Sequence, residues 1–228
     1  MKKFGFTILI AFIATLASAQ QSETRNIGSF TGVKASEGID VYLSKGNKES
    51  VKVEVNGNIS LSDVITEVGG SYLKVHLRDN HSYRNIDVKV YVTYVTVDKL
   101  SSSSAGSIFS EGTIRANSME LSASSAGTIE VTVEANDLDA SASSAGDIEL
   151  KGKAKNVEVD ASSAGEIDAY DLEGENVTAE ASSGGSVKVQ VTEALNAHAS
   201  SGGSVRYRGN PDKSITNSSS GGSVKKSN

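Results

Sequence analysis

The sequence has no cysteine, no tryptophan and a single proline, and aromatic residues make up only 5% of its 228 positions. Without cysteine it can form neither disulfides nor a lipid-modified N-terminal cysteine, so its stability must come from packing and backbone hydrogen bonds. The three histidines, His76, His81 and His198, are isolated. Since tetrahedral metal sites need clustered thiols and imidazoles, the sequence predicts no metal site. It shows no cofactor motif either.

Basic residues are also scarce, with 22 Lys and Arg against 28 Asp and Glu, a net charge of −6. Nucleic acids select for lysine and arginine, so this balance argues against a nucleic-acid partner.

Lys2 and Lys3 precede an apolar run over residues 4–16, and Ala17-Ser18-Ala19 follows it. This pattern predicts a signal peptide over residues 1–19. A retained membrane anchor is the alternative, but the run is shorter than the roughly 20 residues of a spanning helix. No later segment could span a bilayer.

The second half of the chain repeats one short phrase, Ser-Ser-Ala-Gly or Ser-Ser-Gly-Gly, seven times. The closing glycines are Gly106, Gly127, Gly146, Gly165, Gly185, Gly203 and Gly222. A period of 18 to 21 residues indicates stacked coils. Apolar residues alternate with polar ones beside each phrase, as at Leu138, Ala140 and Ala142, which a flexible Ser/Gly linker would not show. We therefore expect a β-solenoid over residues 101–228, with each glycine supplying the positive φ of a sharp corner.

The region before the repeats, residues 20–100, has the two-residue apolar period of half-buried strands. The alternation is clearest in residues 39–43, 51–55, 73–77 and 88–92. Glycine and asparagine, which favour tight reversals, separate these segments. The sequence thus predicts an irregular β entry region in front of the solenoid.

Three stretches carry a family resemblance: GVKASEGIDVYLSKGNKESVKVEV (residues 32–55), IDVKVYVTYVTVDKL (residues 86–100) and the SSAG coils. Together they resemble the bacterial putative auto-transporter adhesins with a head GIN domain, over nearly the whole mature chain. The resemblance implies an all-β fold, a right-handed parallel β-helix. It also implies export by a Gram-negative bacterium to the periplasm, the outer surface or the medium. It implies no catalytic residues.

Acidic pairs such as Asp137/Asp139, Glu158/Asp160 and Glu166/Asp168 point to one face because their members are two residues apart. They fit a solvated outer face, weak calcium binding, or the carboxylates of a glycosidase.

The repeated serines allow three interpretations as well. Their hydroxyls could bond to corner backbone groups, form a flat glycan-binding array, or bind ice.

Charge changes along the repeats. Residues 101–180 hold 16 acidic and 4 basic residues, a net of −12, whereas residues 181–228 hold 2 acidic and 6 basic residues, a net of +4. The third position after each corner glycine follows this change: Phe109, Glu130, Glu149, Asp168, Lys188, Arg206, Lys225. We therefore expect a charge gradient along the solenoid, with a candidate contact surface at its basic end. Its residues are Lys188, Arg206, Arg208 and Lys225. Chance drift among the repeats is the alternative explanation of this gradient.

The sequence favours a secreted, non-catalytic β-solenoid that acts as an adhesin or as another surface or periplasmic binding or structural module. Its expected partner is a surface polysaccharide or a second copy of the chain. The alternative is an enzyme that acts on polysaccharides from a β-helix scaffold, which an aromatic-lined groove with paired carboxylates would favour.

The alternation makes a testable prediction about facing. Ile148→Asp, at an inward position, should unfold neighbouring coils, because a buried unpaired charge costs several kcal/mol. Glu149→Lys, at the next and outward position, should change stability by about 0.5 kcal/mol or less. Thermal unfolding of both variants checks this, and equal shifts would show that the facing is wrong.

Overall fold

The computed structural model describes residues 21–79 and 83–227, so the predicted signal peptide lies outside the described residues. One 16-stranded sheet and one short 3₁₀ helix, Leu61–Asp63, make up its secondary structure. No helix in the described part of the chain is long and apolar enough to cross a membrane. The strands are β1 (Gln21–Arg25), β2 (Gly32–Ala35), β3 (Asp40–Lys45), β4 (Ser50–Gly57), β5 (Val64–Gly69), β6 (Tyr72–Leu77), β7 (Ile86–Tyr94), β8 (Lys99–Ser102), β9 (Ser107–Ala123), β10 (Thr128–Ala142), β11 (Asp147–Ala161), β12 (Glu166–Ala181), β13 (Ser186–Ala199), β14 (Ser204–Arg208), β15 (Lys213–Ser218) and β16 (Ser223–Lys226).

Strands β9 to β13 each run through almost a whole coil and pair in parallel with the coils before and after. Identical positions stack, as Ile129 on Ile148 and Ala142 on Ala161. Each coil has two walls: the first wall follows the corner phrase, as in residues 128–133, and the second wall leads to the next corner, as in residues 137–142. The chain therefore forms a parallel β-solenoid of about seven turns, which confirms the predicted fold class.

The core lies between the two walls. Predicted inward residues of the second wall, Leu138, Ala140 and Ala142, are 2%, 1% and 1% exposed, and Ile148 and Leu150 of the first wall are fully buried. Burying a side chain of this size contributes about 1.5–3 kcal/mol. Because the same positions are apolar in successive coils, the core is continuous along the solenoid and holds the coils together.

The corner conformation differs from the prediction. Gly146 is not among the residues with positive φ, whereas Ser144 and Ala145 before it have φ values of 50° and 59°. The Gly146 N–H donates to the Ser143 carbonyl at 2.8 Å. A four-residue turn with both central residues at positive φ is of the type I′ class. The prediction that the closing glycine supplies the positive φ is therefore wrong.

The closing glycine is needed because successive coils approach closely. A Cβ built on Gly127 would lie 2.6 Å from the Ser102 carbonyl carbon and 2.8 Å from the Ser103 nitrogen. At Gly146 the same atom would strike the Ala123 carbonyl of the previous coil. Only a hydrogen fits between one corner and the backbone below it.

Backbone hydrogen bonds satisfy most corner groups, and a serine hydroxyl contributes at the first corner, where Ser102 Oγ donates to the Gly106 carbonyl at 2.5 Å. The Ala145 N–H donates to the Ser163 carbonyl of the next coil at 3.2 Å, and the Asp147 N–H donates to the Gly127 carbonyl of the previous coil at 2.9 Å. In the described chain, the central turn serines, such as Ser144, make no side-chain hydrogen bond. The hydroxyls of these central turn serines therefore face solvent.

The entry region stacks two short sets of strands on the solenoid, one over each wall. On the first wall β4 pairs antiparallel with β7, and β7 continues in parallel through β3 to β9. On the second wall β5 pairs antiparallel with β6, which continues in parallel through β2 to β8 and β9. Parallel stacking thus begins before the predicted boundary at residue 100.

The apolar core ends before the last second-wall strand, β15. Its inward positions hold Ser214 and Thr216, which stack on Leu195 and Ala197. Ile215 points outward and is 61% exposed. A polar inward face is typical of a terminal repeat that caps a solenoid.

The corner makes a second testable prediction. Gly146→Ala should destabilise the protein by several kcal/mol, because its methyl group would meet rigid backbone of the previous coil. Gly184, at φ 78°, has no atom within 4 Å of a built Cβ, and other coils carry alanine there. Gly184→Ala should therefore cost only about 1 kcal/mol, the penalty of the left-handed conformation. Urea denaturation measures both, and equal losses would contradict the close-approach explanation.

Candidate binding surface on the first wall

Cross-strand register aligns one outward position of each first-wall strand from β4 to β16 into a single column, which we call the outer strip. Each neighbouring pair in it is in direct cross-strand register. In order along the solenoid, the outer strip is Lys52, Tyr91, Tyr42, Phe109, Glu130, Glu149, Asp168, Lys188, Arg206 and Lys225. It divides into an aromatic, an acidic and a basic segment.

The aromatic segment is a stack of three rings. Tyr42 lies between Tyr91 and Phe109, with ring centroids 5.3 Å and 5.2 Å away and interplanar angles of 21° and 23°. All three side chains are half-buried, so one rim of the stack faces solvent. Offset stacking of this kind adds about 0.5–1.5 kcal/mol per pair and fixes the ring orientation.

Charged and hydroxyl groups surround the rings. Lys52 Nζ lies 5.7 Å from the Tyr91 ring centroid and 2.6 Å from a Glu54 carboxylate oxygen. Hydrogen bonding from Lys52, and then from Tyr91, lowers the pKa of Glu54. Burial raises the pKa of Tyr42, and the Asp40 carboxylate raises it further. The Tyr42 hydroxyl is therefore protonated at neutral pH and can donate a hydrogen bond.

The acidic segment extends into the neighbouring outward column, where Asp147 and Glu166 stack in register. Asp147 is an exposed residue, but partial desolvation by its neighbours raises its pKa, and the negative charges of Glu166, Glu149 and Asp168 raise it further. At neutral pH these carboxylates repel one another. This part of the strip therefore favours a cationic partner.

Lys188 joins the acidic segment to the basic one. Its Nζ lies 2.8 Å from Glu166 Oε1 and 3.0 Å from Asp168 Oδ2 of the previous coil. Hydrogen bonds to Glu166 and Asp168 raise the pKa of Lys188. Because both partners are only partly exposed, the ion pairs also limit the repulsion within the acidic segment.

Three of the four predicted contact residues lie together. Lys188, Arg206 and Lys225 stack in register, and the structure shows no carboxylate within 4 Å of Arg206 or Lys225 in the described residues. Arg208 lies two residues beyond Arg206, and its guanidinium carbon is 3.9 Å from the Tyr170 ring centroid. Their role in contacting a partner stays a prediction.

The predicted acidic pairs lie on both walls. Glu166/Asp168 belongs to the first wall, whereas Asp137/Asp139 and Glu158/Asp160 lie on the second. Both Asp139 and Asp160 are exposed, and partial desolvation, followed by the charges of neighbouring carboxylates, raises their pKa values. Within residues 21–79 and 83–227, no group of three or more His, Cys, Asp or Glu side chains could hold a metal ion. His81 lies outside these residues.

Asparagines and an aspartate form a short ladder where the second wall begins. Asn136 Nδ2 donates to Asn117 Oδ1 at 2.8 Å, and Asn156 Nδ2 donates to Asp137 Oδ1 at 2.8 Å. Asn176 Nδ2 donates to Asn156 Oδ1 at 3.3 Å, which extends the Asn156–Asp137 pair by one coil. The recurrent asparagines thus stabilise the second bend of the coil.

Sequence reasoning missed two members of the aromatic stack, Tyr42 and Tyr91. A signal for Tyr42 is present in the entry region. Ser36-Glu37-Gly38 aligns in register with the corner phrase before Phe109, since Ala35 pairs with Ser102 and Tyr42 with Phe109. Glu37 and Gly38 also share the positive φ values of that corner. An alignment of ASEGIDVY with SSSAGSIF would have found it.

The family model of putative auto-transporter adhesins with a head GIN domain matches residues 29–211. The chain belongs to this family. Membership in a family of adhesins implies that the chain is located at the cell surface or is secreted. No curated protein matches the chain.

Solved structures share the fold of the head GIN domain chain. A putative adhesin from Bacteroides fragilis has a TM-score of 0.84 at 17% identity, with 92% of this chain and 98% of that chain covered. A putative adhesin from Parabacteroides distasonis has a TM-score of 0.72 at 17% identity, with the same coverage. A putative lipid binding protein from the same species has a TM-score of 0.65 at 20% identity, covering 92% and 97%.

The acidic segment makes a testable prediction about pH. The raised pKa of Asp147 means that its ionised form destabilises the folded state at neutral pH, and that this effect disappears as the pH falls through the folded-state pKa. Asp147→Asn should therefore raise the Tm by roughly 1–2 °C at pH 7, and the gain should vanish in acid. Asp212→Asn, the same charge change in an exposed loop, is the control. A gain that does not depend on pH would contradict an origin in the desolvation and repulsion of the Asp147 carboxylate.

Proposed function

We propose that the chain is a secreted, non-catalytic binding module of the adhesin type, and that it contacts a surface polysaccharide through the aromatic segment of the outer strip. The observation that carries this proposal is the in-register stack of Tyr91, Tyr42 and Phe109, whose rim faces solvent. Its place of action would be the periplasm, the outer surface or the medium of a Gram-negative cell.

The stack suits a sugar ligand in two ways. Tyrosine presents a rigid contact surface with a hydroxyl at its edge, so little conformational entropy is lost when a ligand binds. Asp40 and Ser107 stack on each other in the neighbouring outward column, where they can bond to sugar hydroxyls. The rings follow the solenoid axis, and this arrangement favours an extended polymer over a small molecule.

The acidic groups do not resemble a hydrolytic site. General acid catalysis needs a carboxyl with a raised pKa inside a cleft that positions the substrate. Asp147 has the raised pKa, but it lies on the outer face of a sheet, and Lys188 neutralises the carboxylates next to it. We therefore place the enzymatic alternative second.

A glycan array tests the proposal with the mature chain, residues 20–228. Tyr42→Ala combined with Phe109→Ala should weaken binding to the recognised polysaccharide by about tenfold or more, since interface aromatics often contribute 2 kcal/mol or more. Tyr72→Ala, an aromatic truncation on the second wall, is the matched control and should leave binding unchanged.

The same samples are assayed for release of reducing sugars and for binding to phospholipid vesicles. Hydrolysis of a bound glycan would favour the enzyme, and binding to vesicles alone would favour a lipid ligand. If the wild type binds no glycan, or the aromatic variant binds as well as the wild type, the proposal fails.

A further inference from the structure

Six consecutive coils of the outer strip carry three negative charges followed by three positive ones. Glu130, Glu149 and Asp168 are in register with one another, and Lys188, Arg206 and Lys225 continue the same column. At about 4.8 Å per coil, the six charges extend over roughly 24 Å. The six positions are direct cross-strand partners from coil to coil, and all six side chains lie on the outer face of the wall.

Such a column is complementary to itself when it is reversed. Consider a two-fold axis that runs along the strand direction, midway between Asp168 and Lys188. It would place the first wall of a second copy face to face with the first wall of this copy, and the two solenoid axes would run in opposite directions. Glu130 of each copy would then face Lys225 of the other, Glu149 would face Arg206, and Asp168 would face Lys188. All six strip positions would meet an opposite charge. A parallel arrangement would instead set each charge against its own kind.

The flanking columns are compatible with this arrangement. In the column that contains Asp147 and Glu166, the same rotation sets these carboxylates against Ser204 and Ser186, whose hydroxyls can donate to them. On the other flank Lys151 would face Arg208, so two positive charges would meet. The charge of Lys151 is offset by a Glu149 oxygen 2.7 Å away, and Arg208 lies over the Tyr170 ring.

We propose that two copies of this chain associate through the charged segments of their outer strips, antiparallel and face to face. The facing area of about 24 Å by 14 Å buries well under 1,000 Å² in total, the size of weak and transient interfaces. The association is therefore weak, driven by charge and reduced by salt.

This inference is independent of the proposed polysaccharide binding. Phe109, Tyr42 and Tyr91 lie outside the six paired coils, so the pair leaves them uncovered at its two opposite ends. A polymer that meets both ends would bind with a higher avidity than one copy provides.

Charge reversal tests the pairing by sedimentation at low salt. The wild type should dimerise at low salt and dissociate at high salt. Arg206→Glu and Glu149→Arg should each weaken association by about tenfold or more, because each sets like charges against each other twice. An equimolar mixture of the two variants should dimerise again, since every reversed charge then meets its opposite. Glu158→Arg, the same change on the second wall, should dimerise like the wild type.

Engineered cysteines test the direction, and the absence of native cysteine leaves no background. Thr128 and Ser223 belong to the same outward column, in the coils of Glu130 and Lys225. A mixture of Thr128→Cys and Ser223→Cys proteins should form a mixed disulfide dimer under mild oxidation at low salt. Thr128→Cys alone should not, because the two copies of this position lie at opposite ends of the antiparallel pair.

Three results would overturn the pairing: a wild type that is monomeric at low salt, a mixture that fails to restore dimers, or cross-linking of Thr128→Cys to itself. A monomer that binds anionic polymer through Arg206 and Lys225 would assign the basic segment to another partner. Tyr42→Ala, which should lose polysaccharide but keep the dimer, separates a failure of this inference from a failure of the proposed function.

Discussion

The close stacking of identical backbone positions is the constraint on which the structure depends. Coils about 4.8 Å apart leave no room for a side chain between one corner and the backbone below it. Gly127 and Gly146 meet the previous coil at distances that exclude a Cβ atom. The two residues before each closing glycine adopt the turn, and the glycine permits the contact that brings the next coil into register.

The unbroken register of the outer strip has a consequence for the outer surface. Its positions repeat once per coil along the solenoid, so a change of residue type between repeats becomes a boundary between surface segments. The ion pairs of Lys188 with Glu166 and Asp168 mark such a boundary, where the acidic segment of the outer strip gives way to the basic one. The stack of Tyr91, Tyr42 and Phe109 marks another.

Much of the fold could be predicted because its determinants are local and repeated. Inward residues such as Ile148 and Val159 follow a two-residue period, and the corner phrase returns at a nearly constant interval. The conformation of the corner could not be predicted in the same way. Glycine serves both positive φ and close approach, and only the distance to the previous coil distinguishes the two needs.

The sequence by itself determined the all-β class, the stacked coils, the facing of the core and the reversal of charge along the repeats. The tertiary structure alone decided which surface residues become neighbours. Tyr42 and Tyr91 lie 49 positions apart in the chain, yet β3 and β7 place their rings 5.3 Å apart. Strand order in the entry region does not follow chain order, because β7 inserts between β4 and β3. Long-range pairing of this kind depends on which strands can bury their apolar faces together, and no local pattern records it.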